Sequence, residues 1–163
     1  NPKPAGGWLE NGPERFSDDD IKNAIKKVNM YNSKSKYKKY PAISAQIIEE
    51  DKNMFGCTAG GTDRFYINAK GDIQPCEFLN ISFGNLQEED FDSIYERMRD
   101  NFDKPGEIWL CQNYYKNILQ TTKKYKTSVL PLNKVLSKEI TDTWNRGNKT
   151  QLYTRLEKGN RVK

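Results

Sequence analysis

Three cysteines and one glycine have the residue types and spacing that most directly suggest chemistry in this chain. Cys57 lies in the glycine-rich run Gly56–Gly61, and Cys76 follows Gly71 by five positions. The segment 65–76 around this glycine predicts a β-hairpin, because glycine tolerates the positive φ of a tight connection. A hairpin brings its two ends together, so thiolates from distant stretches of sequence can face one site. This arrangement suits a metal ion or an iron–sulfur cluster better than a packing role.

The third cysteine, Cys111, would extend this donor set to three thiolates, and the chain contains no histidine. The lack of histidine excludes mixed cysteine–histidine zinc sites and Cys–His nucleophilic catalysis within these residues. Three thiolates leave one position of a tetrahedral site open. The candidates for that position are a carboxylate such as Asp63, a hydroxyl, water, a substrate, or a cysteine from outside this chain.

Length and composition bound the class of protein. The 163 residues fit one domain or part of a larger one, with a net charge of +5 and an apolar fraction of 35%. The odd cysteine count and the lack of a signal-peptide pattern favour a reducing compartment, and we expect the cytoplasm. No apolar run is long enough to span a membrane. The chain begins with Asn1 rather than Met, so we expect a piece of a longer protein. The other parts of that protein would supply the apolar contacts that this chain, with few apolar residues, lacks.

Periodicity and capping signals predict one helix before the hairpin and one after it. Ser17 is a candidate N-cap for a helix from about Asp18 to Tyr31. Asn85, followed three residues later by Glu88, resembles a capping box. After it, apolar residues at helical spacing predict a second helix that stops before the Pro-Gly pair at 105–106. We expect the apolar stripes of both helices to pack in the core.

Further helices are predicted near Cys111 and, in one or two pieces, beyond Pro131. The elements together predict an α+β fold, in which a small β-hairpin domain is flanked by α-helices.

The stretch from Cys57 to Tyr95 resembles a known family. Its motifs are Gly56-Cys57, Gly71-Asp72-Ile73-Gln74-Pro75-Cys76, Phe83-Gly84-Asn85-Leu86 and Ile94-Tyr95. They are similar to the C-terminal auxiliary domain of radical S-adenosylmethionine (SAM) enzymes, called SPASM, or its shortened relative, twitch. In that family a cysteine, a hairpin glycine and a cysteine five positions later begin an auxiliary iron–sulfur site. A full SPASM domain carries seven cysteines for two clusters, so three cysteines favour one cluster and the twitch type.

The resemblance implies that Cys57, Cys76 and Cys111 are ligands of one auxiliary [4Fe-4S] cluster. This chain lacks the CxxxCxxC motif that holds the catalytic cluster and S-adenosylmethionine in the family. Both would therefore belong to a missing N-terminal part, and the fragment is expected to be inactive by itself. The parent radical SAM enzyme is expected to modify a peptide, a protein or another biosynthetic substrate.

The resemblance also implies a domain organisation. Residues 1–40 would be the end of the radical SAM barrel, a partial βα barrel, with a connecting helix. Residues 41–126 would be the auxiliary cluster domain, and residues 127–163 a C-terminal helical tail outside the resemblance. The barrel of the same protein is then the expected partner of this domain, together with the substrate.

Other interpretations remain open at this point. The cysteines can be buried apolar residues, or they can bind zinc. Lysine and tyrosine alternate in 32–40 and 114–126, which is typical of a solvated surface and also of nucleic-acid binders. The alternative to the cluster domain is thus a zinc-bound or metal-free α+β binding module, with a basic, tyrosine-containing surface for nucleic acid or another acidic partner.

Overall fold

The first helix of the chain begins at a capping box. The computed structural model describes residues 17–45, 48 and 52–160, so the predicted end of the barrel in 1–16 lies outside the described residues. Helix α1 (Asp18–Ser33) confirms the predicted helix, and a short 3-10 helix (Ser35–Tyr37) follows it. The Ser17 hydroxyl accepts the Asp20 N–H (3.2 Å), and the Asp20 carboxylate accepts the Ser17 N–H (3.0 Å).

The predicted hairpin is confirmed as the first two strands of a small antiparallel sheet. Strands β1 (Tyr66–Ile67), β2 (Asp72–Gln74) and β3 (Gly84–Asn85) pair in the order β1-β2-β3. Ile67 lies opposite Ile73 in the first pair, and Ile73 lies opposite Gly84 in the second. Gly71 has φ +87° in the connection, so a residue without a side chain is required there.

Five helices follow the sheet in the described part of the chain. In order they are α2 (Phe91–Asn101), α3 (Leu110–Asn113), α4 (Tyr115–Lys124), α5 (Lys134–Thr141) and α6 (Gln151–Asn160). These helices and the small sheet confirm the α+β class. Within the described residues, no helix combines the length and apolar character needed to cross a membrane.

One core joins the sheet, the segment that follows β2, and helices α2 to α5. Its large buried side chains are Ile73, Leu79, Ile81, Phe83, Ile94, Met98, Phe102, Leu110, Ile118, Leu132 and Ile140. Cys57 and Cys76 belong to the same cluster of buried residues. The chain beyond residue 126 contributes Leu132 and Ile140, and Leu132 also forms a parallel bridge with Ile81. Cys57 and Cys76 are therefore part of the main core, and Cys111 packs against it.

The predicted core role of the α1 stripe is wrong for the described residues. Ile21, Ile25 and Val28 are only half-buried, and no described side chain of α1 is fully buried. The reason is that the main described neighbour of α1 is the short 3-10 helix rather than the sheet. Asn32 fixes the chain after α1 by bonding both the N–H and the carbonyl of Ile43, each at 2.8 Å.

The predicted capping box at Asn85 is also wrong. The Asn85 carbonyl accepts the Glu88 N–H (3.0 Å), while its side-chain amide donates to Asp72 on β2 (2.9 Å). Asn85 thus closes a turn after β3 and ties that turn to the sheet. Helix α2 begins later, where the Asp90 carboxylate accepts the Ser93 N–H (2.9 Å).

Glu89 connects α2 to α5 through two ion pairs. Its carboxylate lies 2.6 Å from Nη2 of Arg97 and 2.8 Å from Nζ of Lys134. The Glu89 side chain is 19% exposed, whereas its two partners are more open to solvent. The hydrogen bond from Arg97, followed by that from Lys134, lowers the pKa of Glu89.

We expect Glu89→Gln to lower the unfolding free energy at pH 7 by about 1 kcal/mol, because partly exposed pairs contribute little more than that. The folded pKa is lowered, so this stabilisation is present above the pKa of an unfolded glutamate, about 4.3. It is lost as pH falls through the folded pKa. Urea denaturation at pH 7 and pH 3 measures both values. Glu96→Gln, at an exposed position of α2, is the control, and an equal loss in both variants would contradict the prediction.

Candidate metal centre

The structure brings all three cysteines to the walls of one cavity. Cys57 is 9% exposed, Cys76 is 6% exposed, and Cys111 is partly buried. All three are free thiols. The other walls are mainly apolar and comprise Ala59, Arg64, Phe78, Leu79, Trp109 and Leu110. We call this site the cysteine pocket.

Backbone pairing with Gly106 fixes Cys57. The Cys57 N–H donates to the Gly106 carbonyl (2.7 Å), and the Gly106 N–H donates back to the Cys57 carbonyl (3.2 Å). Gly56, just before the cysteine, has φ +72°, and a Cβ there would lie 2.5 Å from the Gly106 carbonyl oxygen. A glycine at 56 therefore allows the two segments to approach each other.

The loop after Cys57 is attached to the segment that carries Cys76. The Gly60 N–H donates to the carbonyl of Pro75, the residue before Cys76, at 2.8 Å. The Gly60 carbonyl accepts from Nη1 of Arg99 on α2 at 3.0 Å. A Cβ at Gly60 would lie 2.0 Å from the ring of Phe102, so the loop packs directly on the aromatic core. These contacts hold the first two thiols near each other.

Cys76 and Cys111 reach the pocket from different elements. Cys76 follows β2, whose central residue Ile73 is completely buried. Cys111 is the second residue of the short helix α3, directly after the buried Leu110. The core thus positions both thiol-bearing segments through an adjacent apolar side chain.

Burial changes the acidity of two of the thiols. It raises the pKa of Cys76 to about 12 and the pKa of Cys111 to about 11. The negative charge of neighbouring cysteines adds to both rises, as expected for sulfurs that share one pocket. A hydrogen bond from the Phe78 backbone N–H opposes the rise at Cys76. Both thiols are therefore protonated at neutral pH, and metal binding has to release their protons.

The donor set of the cysteine pocket fits an iron–sulfur cluster. Such clusters are held by thiolates, and hydrogen bonds to sulfur tune them; the pocket offers three free thiols and the Phe78 N–H. The cavity itself measures about 20 Å³, roughly the room that one water molecule needs. Its walls have to separate to admit a cluster. Among the described residues, no group of three or more cysteine or acidic side chains lies close enough to hold a single metal ion.

Asp63, the candidate protein ligand for the open position, lies away from the cavity walls. Its side chain is 64% exposed and forms an ion pair with Arg64 at 3.3 Å. Its N–H donates to the Thr58 carbonyl (3.1 Å), so Asp63 closes the turn after Cys57.

Three residues that hold the pocket in place were not expected from the sequence, namely Arg99, Gly106 and Arg146. The Pro-Gly pair at 105–106 was recognisable only as a helix stop, because pairing between distant backbone segments leaves no local pattern. Arg99 and Arg146 were indistinguishable from the chain's other arginines, since burial and long-range contacts decide their roles.

We expect Gly60→Ala to lower the unfolding free energy by about 2–4 kcal/mol, because the new Cβ overlaps Phe102 and the backbone is left-handed. Thermal or urea denaturation measures the loss. The matched control is Gly159→Ala in α6, where no atom lies within 4 Å of the new Cβ. Alanine is the better helix former by about 1 kcal/mol, so the control should be neutral or stabilised. Equal stabilities of the two variants would show that the loop does not pack on Phe102.

A family comparison identifies the segment that holds the pocket. Residues 57–121 match the family model of SPASM, described as an iron–sulfur cluster-binding domain, and all three cysteines lie in this range. No curated protein and no solved structure matches the chain significantly. Such a domain implies iron–sulfur cluster binding. This match over residues 57–121 confirms the resemblance to the SPASM family drawn from the spacing of the cysteines and the hairpin glycine.

Proposed function

We propose that this chain is the auxiliary-cluster region of a radical SAM enzyme, with a single cluster of the shortened, twitch type. In this proposal Cys57, Cys76 and Cys111 bind a [4Fe-4S] cluster and leave one iron for a substrate or another ligand. One observation carries the proposal: three free cysteines, distant in sequence and all within the SPASM match, line the same apolar cavity.

When bound, such a cluster supplies one-electron transfer or a Lewis-acidic anchor for substrate. The residues of this chain control its surroundings. Phe78, Leu79 and Trp109 exclude water from the thiols, and the Phe78 N–H donates to the Cys76 sulfur. Solvent exclusion and hydrogen bonds to sulfur are the two means by which a protein adjusts the potential of such a group.

The rest of the parent enzyme follows from the same proposal. Residues 1–40 are the end of the barrel and a connecting helix, 41–126 the cluster domain, and 127–163 a helical tail. S-adenosylmethionine and the catalytic cluster belong to the barrel of the same protein, in the cytoplasm, and the substrate is a peptide, a protein or a smaller biosynthetic molecule. This chain alone is inactive. The half-buried stripe of α1 supports the proposal, because it leaves an apolar face for the barrel to cover.

Anaerobic reconstitution with iron and sulfide should give a brown protein with equal amounts of bound iron and sulfide. We expect Cys76→Ser to lose most of this iron and sulfide, because a hydroxyl oxygen is a poor ligand for an iron–sulfur cluster. Serine nearly keeps the volume of cysteine, so the loss reports on ligation rather than on packing. Visible absorbance and iron and sulfide assays make the measurement.

The matched control is Thr58→Ser, which trims a buried side chain in the loop after Cys57 but keeps all three thiols. Its cluster content should equal that of the unchanged protein. Zinc bound without sulfide would contradict the proposal and favour the zinc-bound module. Full cluster content in Cys76→Ser would remove Cys76 from the ligand set.

A second function, binding of nucleic acid, is favoured by the exposed segment 34–40. All four of its lysines are exposed, and Tyr40 is 60% exposed. The Nζ atoms of Lys36 and Lys39 lie 4.8 and 5.2 Å from the ring centres of the tyrosines that follow them. The other basic stretch, 114–126, is partly neutralised, because Glu139 binds both Lys124 and Tyr125.

If this second function holds, replacing Lys36, Lys38 and Lys39 with alanine should weaken binding of a single-stranded RNA at least tenfold. The slope of log affinity against log salt should also fall by about 0.7 for each phosphate contact that is lost. Fluorescence anisotropy at several salt concentrations measures both. The control removes the same charge from exposed positions of α1, with Lys22, Lys26 and Lys27 changed to alanine. Equal weakening in the two triple variants would show only general attraction to a basic chain.

A further inference from the structure

Arg146 is the only charged residue that is buried within the part of the chain that the structure describes. It is 8% exposed and lies outside the segment 57–121 that matches the SPASM family. Its guanidinium carbon lies 4.6 Å from the ring centre of Phe102. A buried cation is costly unless opposite charge or hydrogen bonds compensate it, so its position calls for a physical reason.

The guanidinium holds the turn that leads from α2 toward Cys111. It donates to the carbonyl of Asn101 (3.2 Å), to the carbonyl of Lys104, and to the Asp103 carboxylate (3.2 Å). Asp103 is 71% exposed, so solvent screens much of this one ion pair. The Nε–H of Arg146 is buried and has no hydrogen-bond partner among the described residues.

The backbone of Arg146 connects this turn to Cys57. Its carbonyl accepts the Ile108 N–H (3.3 Å), and a Cβ at Gly106 would lie 2.2 Å from the same oxygen. Gly106 is the residue that pairs with Cys57 in both directions. The Arg146 backbone thus packs against the segment 106–108, which holds Cys57 in place through Gly106.

Electrostatics points to the same neighbour. Burial lowers the pKa of Arg146, and the neighbouring Cys57, followed by Asp103, opposes this lowering. The geometry agrees, because the guanidinium packs on the ring of Phe102 and the loop after Cys57 packs on the same ring at Gly60. Thiolates, and a cluster held by three of them, place negative charge there and compensate the buried cation.

We propose that Arg146 positions Cys57 through Gly106 and balances the negative charge of the cluster held in the cysteine pocket. The inference rests on the proposed cluster function. It assigns the C-terminal segment a part in the site, since Arg146 follows the family-matched residues. A buried positive charge stabilises the reduced cluster, which carries one more electron, and so makes the reduction potential less negative.

The test compares Arg146→Gln, Arg146→Lys and the control Arg155→Gln, which removes an exposed arginine of α6. Redox titration of the reconstituted proteins, followed by electron paramagnetic resonance, measures the potential. In Arg146→Gln the ratio of reduced to oxidised cluster at a fixed potential should fall at least threefold, a shift of about 28 mV at 59 mV per tenfold change. Arg146→Lys keeps the charge but not the planar fork, so its shift should lie between those of Arg146→Gln and the unchanged protein. Arg155→Gln should show no shift.

Amide hydrogen exchange in the metal-free proteins tests the positioning role separately. The N–H groups of Cys57 and Gly106 should exchange at least tenfold faster in both Arg146 variants than in the unchanged protein or Arg155→Gln. A purely structural residue far from the pocket would not move the potential of a fully loaded cluster.

An unchanged potential in Arg146→Gln overturns the charge role, and unchanged exchange overturns the positioning role. If Arg146→Gln does not fold, Arg146→Lys decides. The proposal is overturned when this variant has the same reduction potential and the same exchange rates as the unchanged protein. Failure of the unchanged protein to bind a cluster overturns the proposed function and the charge role with it. The exchange rates then still decide the positioning role.

Discussion

The two-way backbone pairing between Cys57 and Gly106 holds the cysteine pocket together. It joins the loop that carries the first thiol to the segment that leads, five residues later, to Cys111. Gly106 also forms a bridge with Lys149, so three distant stretches of chain meet at one glycine. A side chain there would collide with the Arg146 carbonyl, which explains why this position requires glycine. The distance between the thiol-bearing segments thus depends on backbone contacts as much as on the cysteines themselves.

The same pocket combines two opposing physical demands. Its apolar walls bury the thiols and favour their protonated form. Ligation needs thiolates and more room than about 20 Å³. Binding a cluster therefore has to release protons and separate the walls, and the protein offsets part of that cost with hydrogen bonds to sulfur and nearby positive charge. Metal binding and local folding are coupled for this reason.

The structural unit around the pocket extends beyond the segment that matches the SPASM family. Leu132 and Ile140 complete the hydrophobic core, and Arg146 packs over Phe102 beside the pocket. The loop after Cys57, which comes from an earlier part of the chain, packs on the same aromatic ring at Gly60. Phe102 therefore contacts both the C-terminal segment and the loop after Cys57, although it does not line the cavity.

The sequence by itself determined the residues that can do chemistry and most local elements. Cysteine spacing, the positive-φ glycine of the hairpin and the capping of α1 at Ser17 follow from short-range bonds and periodicity, which a sequence displays directly. Only the tertiary structure decided the pairing of Cys57 with Gly106, the burial of Arg146 and the half-buried state of the α1 stripe. The capping box expected at Asn85 failed because the Asn85 side-chain oxygen accepts the Gln87 N–H in a turn (2.8 Å) and the helix begins later, at the Asp90 cap. Contacts between distant residues depend on how elements pack, and no local pattern of amino acids encodes that packing.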